Sequence, residues 1–140
     1  MLLLDYNPNM ADFESPLYEM IGGERGLRAL VDRFYDLMET STEAQNIRNL
    51  HAKSLNQSRQ KLFMFLSGWS GGPQLYVQRF GHPRLRMRHM PFPIGKIERD
   101  EWLWCMNKAL DESQLDPRVV EYLKARFAET ADFMRNQVDV

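Results

Sequence analysis

A single cysteine, Cys105, stands in the 140 residues, so no internal disulfide framework is available and the chain suits a reducing, cytoplasmic setting. No apolar run approaches the roughly 20 residues that cross a bilayer. Met1-Leu-Leu-Leu4 is apolar, but Asp5, Tyr6, Asn7 and Pro8 follow at once, and it lacks the basic flank and length of a signal peptide. Eighteen Lys and Arg against nineteen Asp and Glu leave a net charge of −1, so no global basic field points to nucleic acid or to a membrane. Runs of alternating apolar and polar residues long enough for a sheet are missing too. What is present is an ordinary globular mixture, 44% hydrophobic and 26% charged. A chain of this length forms one domain able to bury roughly 70% of its unfolded surface. We expect a tail over 1–13, whose leucines leave a monomer or a homodimer open, and a single domain over 14–140.

The periodicity beyond the tail is helical. Glu14 to Ile21 predicts a short helix closed by Gly22-Gly23 in a left-handed turn. Leu27, Leu30, Val31, Phe34, Tyr35 and Met38 fall at steps of three and four and form one apolar stripe over 24–40. Ser41-Thr42-Glu43 opens a short turn, and 46–54 reads as a loop. Leu55, Leu62, Phe65, Leu66 and Trp69 mark a helix that stops at Gly71-Gly72-Pro73. One more turn is expected over 74–79 and a short helix over 83–90, then long helices over 95–112 and 117–136. The last starts with Asp116 as cap and Pro117 at the first helical position. The chain is therefore all-α, with helices too uneven for a simple four-helix bundle.

Its most informative stretch is His82-Pro-Arg-Leu-Arg-Met-Arg-His89-Met-Pro-Phe-Pro-Ile-Gly95. Pro91 and Pro93 fix φ and forbid a continuing helix, so His89 has little room to swing. A neutral imidazole held in one orientation suits an axial iron ligand, and the preceding arginines suit an anionic cofactor edge. A capped helix end with a solvated basic face explains the same spacing. The aromatic pairs Phe34-Tyr35 and Trp102/Trp104 pose a similar choice between plain core and pocket lining, because a buried Tyr or Trp wants a partner for its O–H or N–H.

Taken in order, Gly22-Gly23, Phe34-Tyr35, Trp69-Ser-Gly-Gly-Pro73, Gly81-His-Pro-Arg-Leu-Arg-Met-Arg-His89-Met-Pro-Phe and Glu98-Arg-Asp-Glu-Trp102-Leu-Trp-Cys-Met106 resemble the group II truncated hemoglobins over about residues 16–136. The resemblance implies a globin-like, two-over-two helical sandwich enclosing one heme b (iron protoporphyrin IX) per chain. By that resemblance His89 is the proximal iron ligand; His82, seven residues earlier, precedes Pro83 and belongs to an extended or capping position. Arg84 or Arg88 would meet a heme propionate, with Arg86 a third candidate, since guanidinium forks pair with carboxylates. Leu62, Phe65, Met90, Ile94 and Ile97 would be apolar heme contacts.

On the distal side the resemblance assigns Tyr35 and Trp102 as ligand-stabilising residues. Many members carry a tyrosine at the third distal position; here the loop reads Ile47-Arg48-Asn49-Leu50-His51, and we place His51 there, with the adjacent Leu50 as the competing candidate. Ser58 falls where the distal helix would face the iron, or else bonds back to a carbonyl of its own helix. Hydrogen-bond donors aimed at dioxygen on ferrous iron retain it, so the expected activity is reversible dioxygen binding with slow release. Polar donors also favour redox chemistry on peroxide or nitric oxide, with an electron-donating reductase as partner. A proximal histidine without an acidic neighbour argues against strong peroxidase activity. The rival readings are a helical nucleic-acid-binding domain built on Arg84, Arg86 and Arg88, and a cofactor-free interaction module. Both predict a colourless protein.

Overall fold

The computed structural model describes residue 13 and residues 15–138. Eight α-helices follow one another: α1 (Leu17–Ile21), α2 (Gly23–Thr40), α3 (Gln45–Asn49), α4 (Asn56–Trp69), α5 (Leu75–Phe80), α6 (Leu85–His89), α7 (Lys96–Glu112) and α8 (Pro117–Phe133), with one 3-10 turn at Thr42–Ala44. No strand occurs among the described residues. The expected tail lies outside the described residues except for Phe13, whose ring meets Tyr122 edge-on at 5.3 Å.

Four long helices make the frame. α2 packs on α4 and α7, and α7 packs on α8, which places two helices over two. The α2 stripe Leu27, Leu30, Val31, Phe34 and Met38 is at most 5% exposed. It meets Cys105, Met106, Ala109 and Leu110 of α7 and Val119, Leu123 and Phe127 of α8 in one buried cluster. Trp69 at the end of α4 closes on Phe127, ring centroids 5.7 Å apart. Burial of this kind contributes about 25 cal/mol per Å² of apolar surface and is the main force holding the helices together.

The chain turns where its small residues allow it. Gly22 has φ 104°, and its N–H closes α1 on the carbonyls of Tyr18 and Glu19. Only a residue without Cβ adopts that backbone at no cost. At Gly72 a Cβ would stand 2.4 Å from the Tyr18 ring, so the Gly-Gly-Pro stop after α4 also seats α1. Asp116 caps α8 by accepting from Arg118 N–H at 2.9 Å, with Pro117 at the first position, as expected.

Two elements differ from expectation. The last helix ends at Phe133 rather than 136, and residues 46–49, the first part of the stretch 46–54 read as loop, belong to the helix α3. A lone apolar residue, Ile47, gives no periodic signal; the helix exists because α7 supplies its cap. Glu101 accepts from Ile47 N–H at 3.0 Å and from Asn46 Nδ2 at 2.7 Å, while Ile47 is buried against the core. Tertiary contacts thus overrule weak local propensity.

Candidate functional site

The α2 stripe that builds the core also carries Tyr35 to its edge. Tyr35 is 5% exposed, and its ring stands 4.7 Å from Phe34 and 6.0 Å from His51. Phe34 in turn meets Trp102 of α7 at 5.0 Å, so one aromatic chain runs from His51 through Tyr35 and Phe34 to Trp102. Among the described residues the Tyr35 hydroxyl has no hydrogen-bond partner, and neither has Trp102 Nε1. Buried phenols and indoles usually find one. Burial pushes the Tyr35 phenol well above its ordinary range, with Arg59 opposing weakly, so the hydroxyl stays protonated and able to donate.

His51 follows α3 and turns its Nδ1 to the carbonyl of Ile47 at 2.8 Å. A carbonyl only accepts, so Nδ1 carries the proton and Nε2 keeps a lone pair. Burial lowers the His51 pKa below 6.5; the Ile47 hydrogen bond opposes this, and the charges of Arg48 and His89 add to it.

His89 closes α6 and is half-buried. Its Nδ1 lies 2.6 Å from the Leu85 carbonyl, one helical turn back, which again assigns the proton to Nδ1 and leaves Nε2 free. That acceptor is a backbone carbonyl, not a carboxylate. His82 stands apart: it is exposed, and its Nδ1 accepts from Arg84 N–H at 3.3 Å as a turn cap.

The other expected site residues are distributed unevenly. Ser58 lies in the first turn of α4, half-buried, and its hydroxyl bonds to no carbonyl among the described residues. Leu62 and Phe65 are partly buried against the core, with Phe65 edge-on to Tyr76 at 6.2 Å. Ile94 is buried at 7% exposed, whereas Met90 and Ile97 stand out at 52% and 60%. Arg84 is exposed with φ 48°. Arg88 donates through Nε to the Pro83 carbonyl at 2.7 Å and lies 5.7 Å from the Tyr76 ring. Arg86 reaches the Arg135 carbonyl at 3.2 Å. Among the described residues none of the three pairs with an acid.

Two cations that sequence reasoning passed over join Arg88. Lys61 of α4 and Arg79 of α5 approach the Phe80 ring at 5.5 and 5.3 Å, and Phe80 stacks on Tyr76 at 4.8 Å. Lys61, Arg79 and Arg88 therefore gather around one aromatic pair, with no carboxylate paired to them among the described residues. A signal for this was available. Residues 44–97 contain nine Lys and Arg and no Asp or Glu.

A two-over-two frame of four long helices, with a half-buried histidine closing a short helix and a buried tyrosine at the core's edge, is globin architecture. The chain belongs to the bacterial-like globin family, whose model matches residues 16–136, and within it to the group II truncated hemoglobins. It is 39% identical over 127 residues to the group 2 truncated hemoglobin YjbI of Bacillus subtilis, spanning 91% of this chain and 92% of that protein. The cold-adapted truncated hemoglobin of Pseudoalteromonas haloplanktis TAC125 superposes with a TM-score of 0.86 at 47% identity, over 89% of this chain and all of that one. The group II 2-on-2 hemoglobin of Agrobacterium tumefaciens gives 0.86 at 43%, over 91% of this chain and all of the other. Heme binding and the binding of diatomic gases such as dioxygen come with the family. Among the described residues no helix is long and apolar enough to cross a membrane.

The residues present fit that cofactor. An imidazole with its Nε2 unspent, two donors without partners, three unneutralised cations and exposed apolar Met90 and Ile97 are what a carboxylate-bearing, iron-centred macrocycle would engage.

Proposed function

We propose that the protein holds one heme b per chain through His89 and retains dioxygen on the opposite side with slow release. The observation that carries this reading is the protonated hydroxyl of buried Tyr35, which has no hydrogen-bond partner among the described residues. When bound, heme supplies a ferrous iron with an open coordination position for a diatomic gas. His89 is prepared for the opposite position, because the Leu85 carbonyl holds the proton on Nδ1 and leaves the Nε2 lone pair to bind metal. Lys61, Arg79 and Arg88 offer charge-assisted bonds to the propionates, with Arg84 exposed beside them. Leu62, Phe65 and Ile94 form the apolar wall, and Met90 and Ile97 are the surface the macrocycle would cover. Ser58, small and unbonded, leaves the α4 face open.

Tyr35 and Trp102 act on the gas. Trp Nε1–H donates and never accepts, so it favours a polar guest over an apolar one. Each buried donor to a charged acceptor is worth on the order of 1.5–3 kcal/mol, roughly ten- to a hundredfold in retention. Neutral His51 has its Nδ1 proton committed to Ile47, so it offers an acceptor at Nε2 and becomes a second donor only when protonated. A carbonyl behind His89, in place of a carboxylate, leaves the imidazole less electron-rich and favours gas retention over peroxide cleavage. An electron-donating reductase would keep the iron ferrous, and oxidation of nitric oxide by the retained dioxygen is the redox activity to assay first.

Absorption spectra of the ferric, ferrous and dioxygen-exposed protein test the reading. Wild type should show a Soret band and a stable dioxygen spectrum, and His89→Ala should lose the histidine-ligated ferrous form. A colourless wild type after heme supplementation, or an unchanged His89→Ala, would overturn it.

A further inference from the structure

We propose that Asn136 is a positioning residue for the proximal histidine, tying the segment from His89 to Ile94 to the end of α8. This rests on the reading of His89 as the iron ligand. The Asn136 carboxamide Nδ2 donates to the Phe92 carbonyl at 2.8 Å and to the His89 carbonyl at 3.3 Å. Its Oδ1 accepts from Ile94 N–H at 3.0 Å and from Gln137 Nε2 at 3.0 Å. The Asn136 backbone N–H donates to the Ile94 carbonyl at 2.8 Å, and Gln137 N–H reaches the same oxygen at 3.3 Å. One residue thus grips the chain at three points within six residues.

The grip matters because, among the described residues, the segment's other ties are few: the Phe92 N–H to His89 carbonyl bond at 3.0 Å, a contact of Arg86 with Met90, and the burial of Ile94. α6 has five residues and buries none of them, and a helix that short is not stable by itself. Pro91 and Pro93 bring no N–H, so the loop has few internal bonds to close on. The His89 ring is aimed by its bond to Leu85, but that bond moves with α6 as a unit. Asn136 fixes the unit against α8, whose end is anchored by Met134 at 8% exposed. Arg86 adds a weaker tie to the Arg135 carbonyl at 3.2 Å. The imidazole plane is therefore set by a contact 47 residues away in sequence.

The test uses the full-length, heme-loaded chain and two readouts: the iron–histidine stretching band of the gas-free ferrous protein, and heme loss to a scavenging apoglobin. Asn136→Leu, similar in shape and without polar atoms, should shift and broaden the band and speed heme loss on the order of tenfold. Asn136→Asp keeps an acceptor for Ile94 N–H but cannot donate to the His89 and Phe92 carbonyls. It should move the band in the same way, and it carries the test if Asn136→Leu does not fold. In a His89→Gly background ligated by free imidazole, Asn136→Leu should leave the band where it is, because that imidazole has no link to the backbone. A band and heme-loss rate unchanged in both variants, or a band that moves equally in the imidazole-ligated background, would overturn the proposal. A His89→Gly protein that keeps its band without added imidazole would instead overturn the assignment of His89.

Discussion

Replacing Tyr35 by Phe separates the two roles a buried phenol can play. The ring is 5% exposed and packed between Phe34 and His51, and Phe preserves all of that contact. The hydroxyl has no hydrogen-bond partner among the described residues, so its removal breaks no hydrogen bond seen there. A hydroxyl satisfied within the fold would cost about 1 kcal/mol when deleted, whereas an unsatisfied buried one costs nothing to lose and can stabilise by a similar amount. Unfolding of the gas-free protein in urea should therefore show Tyr35→Phe unchanged or more stable by up to about 1 kcal/mol. Dioxygen dissociation, followed by stopped flow with carbon monoxide as trap, should speed up roughly ten- to a hundredfold, the share of one charge-assisted bond. Carbon monoxide, much less polar, should respond far less. The reasoning fails if the dissociation rate stays within about twofold of wild type, a change of only about 0.4 kcal/mol. It fails equally if the gas-free protein loses more than about 1 kcal/mol, since the hydroxyl would then have a structural partner.

His51 gives a pH dependence of definite sign: burial holds its pKa below 6.5, so Nε2 becomes a donor only as pH falls beneath that value. Dioxygen dissociation measured between about pH 5 and 8.5 should slow towards the acid end in wild type and flatten in His51→Phe. The Arg48 guanidinium is the permanent charge acting on it, and Tyr35 stays neutral throughout. Over the same window folding stability should fall with pH, because the unfolded chain takes up the His51 proton first. Phe34→Ala should destabilise the fold by about 3–5 kcal/mol in chemical denaturation, since a fully buried ring holding both Tyr35 and Trp102 is lost. Cys105 is fully buried, and burial pushes its thiol up to about 12, with the charges of Glu101 and Glu43 adding to this. A thiol reagent at mildly alkaline pH should leave it untouched in the native protein and react with one equivalent in denaturant.

The long helices were legible because each rests on a local pattern. The α2 stripe at steps of three and four, the Gly22 turn and the Asp116-Pro117 start are readable from a few neighbouring residues, and so is the proline-pinned His89. What escaped depends on partners far along the chain. α3 needs Glu101, 54 residues away, to cap Ile47. Lys61 and Arg79 meet only because α4 and α5 pack around Phe80. Asn136 looks like an ordinary polar residue until the chain brings it to Ile94. The expected loop over 46–54 is the clearest error, and it arose where a single apolar residue carried the whole burial signal.

Composition misled in one respect, and the reason bears on the site. A net charge of −1 suggests mixed signs throughout, yet all nineteen acids lie in 1–43 and 98–140. The central stretch carries α3 to α6, which is where His51, Lys61, Arg79, Arg84, Arg88 and His89 reside. Acids from the flanks do reach into it at its outer face: Glu39 pairs with Arg48 at 2.6 Å, and Asp36 with Arg59 at 2.7 Å. None reaches the cations around Tyr76 and Phe80. A carboxylate there would neutralise the charge a dianionic cofactor needs. A carboxylate beside His89 would compete with the Leu85 carbonyl for Nδ1 and enrich the ring. Excluding acids from this stretch thus serves cofactor capture and a moderate proximal imidazole at once, two requirements that a uniformly mixed surface would satisfy only by chance.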